Sequence, residues 1–230
     1  MMAQMRFAQF LAFGLISAAS VARAEPLGSH QPHLAASLGP RVSKVGSTGY
    51  DPFADSDDLP QVSLGVSGTL LTASRLSLAA VGFWDYGARS GTARNSSTSL
   101  DVHRLSVGPE GRYHLLPQLY AFAHVLPAFA YSKASLDDRI AAATFAARHW
   151  SYGVDLALGA AYEVYGMRSG ESTRPRLWLI GEGGYGYLGG TRLLLKPEPG
   201  PGAPERSAPV DLGSLSLAGP YLRFSGAVSF

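Results

Sequence analysis

From Tyr152 to Val164 every even position is apolar or aromatic (Tyr152, Val154, Leu156, Leu158, Ala160, Tyr162, Val164), whereas the odd positions are Gly153, Asp155, Ala157, Gly159, Ala161 and Glu163. A period of two with unlike faces is the signature of a β-strand, and a helix cannot present these residues on one side. Comparable segments fall at about 33 to 44, 61 to 71, 75 to 87, 100 to 115, 118 to 132, 149 to 165, 175 to 189 and 210 to 230. The pattern therefore predicts an all-β chain of about eight strands. Connections 45 to 60, 88 to 99, 133 to 148 and 190 to 209 are long and polar, whereas 72 to 74, 116 to 117 and 166 to 174 are shorter. Long loops at one end and tight turns at the other fit an antiparallel up-and-down transmembrane barrel with both termini at the short-turn end.

A soluble eight-stranded barrel shares this strand count, so the decisive question is which face carries charge. The apolar face holds Leu76, Leu78, Ala80, Trp84 and Tyr86 on the third segment, Leu105, Val107 and Tyr113 on the fourth, and Leu119, Val125, Phe129 and Tyr131 on the fifth. Across these stretches it contains no Asp, Glu, Lys or Arg. Against lipid, a charge at the midplane would cost about 2–4 kcal/mol, which accounts for that absence. The aromatic residues sort by height: Trp84, Tyr86, Phe129, Tyr131, Tyr152, Tyr185 and Tyr187 fall toward the long loops, and Tyr113, Tyr162 and Phe230 toward the short turns. Two aromatic belts are expected of a membrane barrel. The opposite face carries Arg41, Asp85, Arg104, Glu110, Arg112, Asp155, Glu163, Arg176, Glu182 and Arg223, five bases and five acids expected to pair in a filled lumen. In the last segment Leu215 and Leu217 are out of phase with Leu222, Phe224, Val228 and Phe230, and a bulge near Gly219-Pro220 would restore the phase.

The first 24 residues read as a secretory signal: Arg6 is the positive head, Phe7 to Ala22 is uncharged, and Ala22-Arg23-Ala24 fits a small-x-small cleavage site ahead of Glu25. Residues 25 to 32 then form a short periplasmic segment and 33 to 230 the barrel. Of 19 Lys and Arg, Arg6 and Arg23 leave with the signal while all 17 acids stay, so the remainder is electrically balanced. Nucleic-acid binding has no support from that balance. Cysteine is absent, which removes disulfides and thiolate metal sites, and no cofactor motif stands out.

The carboxy-terminal stretch Tyr221-Leu222-Arg223-Phe224-Ser225-Gly226-Ala227-Val228-Ser229-Phe230 resembles the terminal strand of bacterial outer-membrane proteins. Gly108-Pro109-Glu110-Gly111-Arg112-Tyr113 is similar to a strand common among small eight-stranded outer-membrane barrels. The resemblance implies that Leu222, Phe224, Val228 and Phe230 form the signal read by the barrel-assembly machinery. It also implies outer-membrane lipid and lipopolysaccharide as surroundings, a Gram-negative outer membrane as location and a monomeric state. No activity follows from the fold.

Four local patterns bear on chemistry. His149 and Ser151 with Glu163 resemble the His-x-Ser pair and downstream Glu of outer-membrane lipid A deacylases, yet Glu163 lies about 40 Å along the same strand at ~3.3 Å per residue. Gly181-Glu182-Gly183-Gly184-Tyr185-Gly186 matches G-x-G-x-x-G but lies inside a strand with no helix after it, so close packing is its reading. Asp51, Asp55, Asp57 and Asp58 crowd the first long loop without the spacing of a calcium loop, leaving a solvated acidic tip with weak divalent bridging as the alternative. Asn95-Ser96-Ser97 is a sequon by chance. Residues Ser135 to Arg148 have the features of a short surface helix, and 196 to 209 form a Pro-rich exposed loop. The functional expectation is a non-enzymatic scaffold with surface-exposed loops; a lipid-modifying hydrolase and a narrow channel are the alternatives.

Overall fold

The computed structural model describes residues 34–93, 96–138, 143–165, 175–198 and 208–230. The expected signal peptide (1 to 24), the segment 25 to 32, Asn95 and most of the Pro-rich stretch lie outside the described residues. The described residues form ten strands: β1 (Leu34–Lys44), β2 (Asp58–Ala73), β3 (Leu76–Ala93), β4 (Ser96–Leu116), β5 (Leu119–Asp138), β6 (Ala143–Tyr165), β7 (Arg176–Leu188), β8 (Thr191–Pro197), β9 (Val210–Leu215) and β10 (Gly219–Ser229). Eight of them close a ring. β1 to β7 pair in sequence order, and β10 pairs with both β7 and β1, every neighbour antiparallel.

The register sets the slant of the wall. A row of paired residues starting at Ser43 on β1 passes through Tyr221, Gly184, Ala157, His124, Glu110, Ala79 and Thr69. Thr69 lies one position past Gly68, the partner of Leu34, so one circuit slides the row about ten residues down β1. Such a stagger forces the strands to lean from the axis, by roughly 35–45° in barrels of this type. The ladder between β4 and β5 is interrupted between Ser106↔Ala128 and Glu110↔His124, where Pro109 and Pro127 have no N–H to donate. At Gly153 a Cβ would sit 1.7 Å from the Tyr187 carbonyl oxygen, so this close β6–β7 approach requires glycine.

Three corrections to the sequence reading concern the long-loop end. Residues 58–60, 88–93, 96–99, 133–138, 143–148 and 191–197 belong to strands, and the described residues between Ser135 and Arg148 are strand where a helix is expected: β5 runs to Asp138 and β6 starts at Ala143. Helical spacing of Ala143 and Ala147 coincides with their both being inward positions of a strand. The final segment is two elements, with Leu215 and Leu217 packed into a large apolar cluster together with Tyr50, Leu136 and Leu195, and the ring strand beginning at Gly219. A break at 216–218 thus resolves the phase change expected of a bulge.

Above the ring stands a second storey. The β8–β9 hairpin rises between β7 and β10, and β8 pairs with the upper part of β6 through Phe145↔Pro197 and Ala146↔Lys196. On its other side β9 meets the loop after β1, where the Gly49 amide donates to the Ser214 carbonyl at 3.2 Å. Inside this crown lie Tyr50, Phe53, Leu59, Leu100, Val102, Leu136, Phe145, Leu193, Leu195 and Leu215, all buried together. A one-turn 3-10 helix, Asp51–Phe53, carries Phe53 into it, and Thr98 Oγ1 donates to the Pro52 carbonyl at 2.5 Å.

Candidate functional site

The wall has opposite characters on its two sides. Outward positions alternate with buried ones along every ring strand, and the large exposed side chains include Leu38, Leu64, Val125, Leu158, Leu179 and Phe224, with Leu158 71% exposed. Between the short turns and the aromatic rows, no Asp, Glu, Lys or Arg faces outward among the described residues. The ten aromatic residues singled out from sequence (Trp84, Tyr86, Tyr113, Phe129, Tyr131, Tyr152, Tyr162, Tyr185, Tyr187 and Phe230) all lie at outward positions. Leu222, Phe224, Val228 and Phe230 also alternate with buried neighbours on β10 and its end, although Val228 is half-buried.

Inside, the charged residues form two groups. Arg41 Nη1 donates to Asp85 at 2.6 Å and lies 3.4 Å from Asp155, which also accepts from Arg104 Nε at 3.0 Å and from Arg104 Nη2. Arg223 donates to Asp85 at 3.1 Å and to Glu182 at 2.6 Å. The resulting chain, Arg104–Asp155–Arg41–Asp85–Arg223–Glu182, alternates in sign and sums to zero. Desolvating six ions is costly, and only such pairing with good geometry offsets it. Aromatic faces add to the cation side: the Arg41 guanidinium lies 3.8 Å from the Tyr221 ring centre and that of Arg223 3.9 Å from Phe83. In the second group Arg112 Nε donates to Glu110 at 2.7 Å, and His124 Nδ1 lies 3.2 Å from the other Glu110 oxygen.

Eight of the ten charged residues predicted for the lumen are thus brought together. Glu163 is buried near the short-turn end of β6, and Arg176 is half-buried at the start of β7, both away from these two groups. The sequence reading missed His124, Tyr221 and Phe83. Parity alone offered them, since each shares the inward phase of the charged residues on its strand.

Below the charged layer Tyr120, Phe122, Ala161, Trp178 and Ala227 fill the short-turn end, where Trp178 Nε1 donates to Ser229 Oγ at 2.9 Å. Above it lies the apolar crown. Between the charges and the lower aromatic plug a cavity of about 40 Å³ remains, bordered by Glu110, Arg112, Glu182 and Arg223.

The other candidates are placed as follows. His149 and Ser151 are half-buried inward neighbours at the upper end of β6, and no hydrogen bond joins them; His149 Nε2 is buried without a partner. Glu163 stands at the far end of the same strand. In the first loop Asp51, Asp55 and Asp57 are exposed, and Asp58 faces Lys44 at 2.9 Å. Among the described residues no three His, Asp or Glu side chains converge on a metal-sized site. Gly181 to Gly186 lies within β7, with Glu182 turned inward to Arg223.

Outside, at the upper edge of the uncharged band, a continuous row of rings crosses four strands. Trp84 and Tyr86 on β3 pack on His103 of β4 at 5.9 and 4.9 Å between ring centres, His103 meets Tyr131 of β5 at 6.4 Å, and Tyr131 meets Trp150 of β6 at 5.2 Å. His103 and Trp150 were missing from the sequence reading, although Trp150 shares the outward parity of Tyr152.

These features define a closed eight-stranded up-and-down β-barrel with an ionic interior and an apolar exterior. Among solved structures, the chain is similar to Ail, the attachment invasion locus protein of Yersinia pestis (9% identity, TM-score 0.49, covering 87% of this chain and 99% of that one). Ail in complex with the heparin analogue sucrose octasulfate gives 9% identity and a TM-score of 0.48 over 86% of this chain and 97% of that one. Neisserial surface protein A gives 12% identity and a TM-score of 0.40 over 86% and 97%. No family model matches the sequence, and no curated protein matches it.

Proposed function

We propose that this chain is an outer-membrane β-barrel of a Gram-negative bacterium, exported with a cleaved signal peptide. In this reading it is inserted by the barrel-assembly machinery through its last strand, and it works as a monomeric, non-enzymatic scaffold that presents a folded crown for surface interaction or envelope integrity. One observation carries the reading: between the short turns and the upper aromatic row, the side of the wall exposed to the surroundings is apolar and, among the described residues, free of ionic side chains, while the ions at that level are enclosed. In water such an exterior would be an apolar patch far larger than soluble monomers tolerate. In lipid it is the required surface.

The interior supports a barrel that neither conducts nor catalyses. Paired charges, the lower aromatic plug and the upper apolar core occupy it in three layers, the filling expected of an eight-stranded barrel without an aqueous channel. The distance between Glu163 and the His149–Ser151 pair speaks against a hydrolase of the deacylase type. Cell fractionation with a comparison of boiled and unboiled samples on a gel tests the proposal. We expect the protein in the outer-membrane fraction with a heat-dependent mobility; purified protein that stays monodisperse in buffer without detergent overturns it.

A further inference from the structure

We propose that the outer wall of β4, β5 and β6 holds a phosphorylated glycolipid of the outer leaflet, with Lys133 and Arg148 gripping a phosphate of the lipid A headgroup. This rests on the outer-membrane reading above. The starting point is an unfavourable pairing: Lys133 and Arg148 are register partners on adjacent strands, both outward and exposed. Like charges directly opposite one another destabilise a sheet. An anion lying across both converts that repulsion into two charge-assisted contacts, with Arg148 able to grip a phosphate through two N–H groups.

Position selects the anion. Tyr131 and Trp150, register partners two residues below, form the upper aromatic row, so the cations stand immediately outside the apolar band. Headgroup phosphates occupy that level in a leaflet, and basic clusters beside a spanning segment are lipid-headgroup sites. Above them Lys196 pairs with Ala146, adding a third cation to the same outer face. Neither Lys133 nor Lys196 has an ion-pair partner among the described residues. Arg148 is held only loosely, at 3.5 Å, by exposed Glu198, and Asp101 is the register partner of Lys133 on its other side.

Shape selects a glycolipid over a simple phospholipid. A recess of about 390 Å³ beside Lys133 is floored by Trp84, Tyr86, His103 and Tyr131, a broad aromatic platform suited to sugar rings, with the Asp101 carboxylate on its border as an acceptor for sugar hydroxyls. Below it, between Val125 and Leu158, lies a second groove of about 550 Å³ on the same wall, formed because Gly111, Ala123 and Gly183 have little or no side chain. That groove receives acyl chains. Cation pair, ring platform and groove follow one another down a single face, in the order of phosphate, sugar and hydrocarbon.

The detergent-solubilised protein is titrated separately with bis-phosphorylated lipid A, dephosphorylated lipid A and phosphatidylglycerol, and bound lipid is counted by native mass spectrometry. The expected result is at least tenfold greater retention of bis-phosphorylated lipid A than of either other lipid. Lys133→Ala with Arg148→Ala should abolish that preference, with the heat-dependent gel shift showing that the variant is still a barrel. Lys44→Ala, which removes an exposed cation elsewhere on the wall, should leave it intact. Equal retention of the three lipids, or undiminished preference in the double variant, overturns the proposal. A protein that disperses without detergent defeats the outer-membrane reading, whereas one that inserts into vesicles yet does not discriminate among the lipids defeats the site alone.

Discussion

Among the described residues Asp85 is the single acid that accepts from both Arg41 and Arg223, and it is fully buried. Replacing it by Ala leaves the buried Arg41 and Arg223 guanidiniums with one acid each, Asp155 and Glu182, and removes the ion that separates them, so Asp85→Ala should lower barrel stability by about 3–5 kcal/mol. Denaturant titration in detergent micelles measures this. Removing a complete pair is gentler: Arg104→Met with Asp155→Leu should cost less than Asp155→Ala alone, because no uncompensated ion remains. That these residues face inward was legible from the alternation of two. Which acid meets which base was not, because parity assigns a face and says nothing about height around a slanted wall. Arg41 and Asp155, for instance, lie far apart in sequence on strands with two others between them, and only the closed ring brings them to 3.4 Å.

At the scale of elements, the lower halves of the strands were readable and the upper halves were not, for a physical reason. Within the ring the uncharged face is outward. In the crown it is inward: Ala134, Leu136, Phe145 and Ala147 are buried, whereas Lys133, Ser135, Asp137 and Arg148 are on the outside or its edge. The chain thus follows membrane rules below the upper aromatic row and soluble-protein rules above it, and polar outward residues there resemble loop. The β8–β9 hairpin completes that upper core with Leu193 and Leu195. Leu195→Ala should cost about 2–5 kcal/mol of local stability, seen as faster proteolysis and amide exchange in the crown with the heat-dependent gel shift retained.

The hairpin also carries a titratable latch. Arg192 donates to Asp211 at 2.9 and 2.5 Å, and with the Gly213 amide it holds the Asp211 carboxyl below its ordinary range. A depressed carboxylate stabilises the hairpin above its unfolded value, and the contribution disappears as pH falls through the lowered one. Carboxyl chemical shifts of Asp211 should therefore titrate at lower pH in the folded protein than in Arg192→Ala. The exposed setting makes this a small effect on stability.

For the whole molecule, the testable quantity is the contrast between the two sides of the wall. Leu158→Arg puts a cation on the most exposed part of the apolar band and should cost about 2–4 kcal/mol if it lies near the midplane, measurable as a reduced folded fraction in lipid vesicles. The same substitution in a water-facing wall would be nearly neutral, so the magnitude distinguishes the two surroundings. Planar-bilayer recordings of the intact protein should show no conductance.

The break at 216–218 and the pairing of β8 with β6 have a consequence for assembly. The crown draws on the loop after β1, the upper ends of β4, β5 and β6, and the hairpin before β10, so its interior is completed only once the segments next to the first and last ring strands have both arrived. Closure of the seam between β1 and β10 should therefore precede the final burial of Tyr50 and Leu195. A stalled intermediate would be recognisable by its hydrophobic dye binding on the distal side of the bilayer.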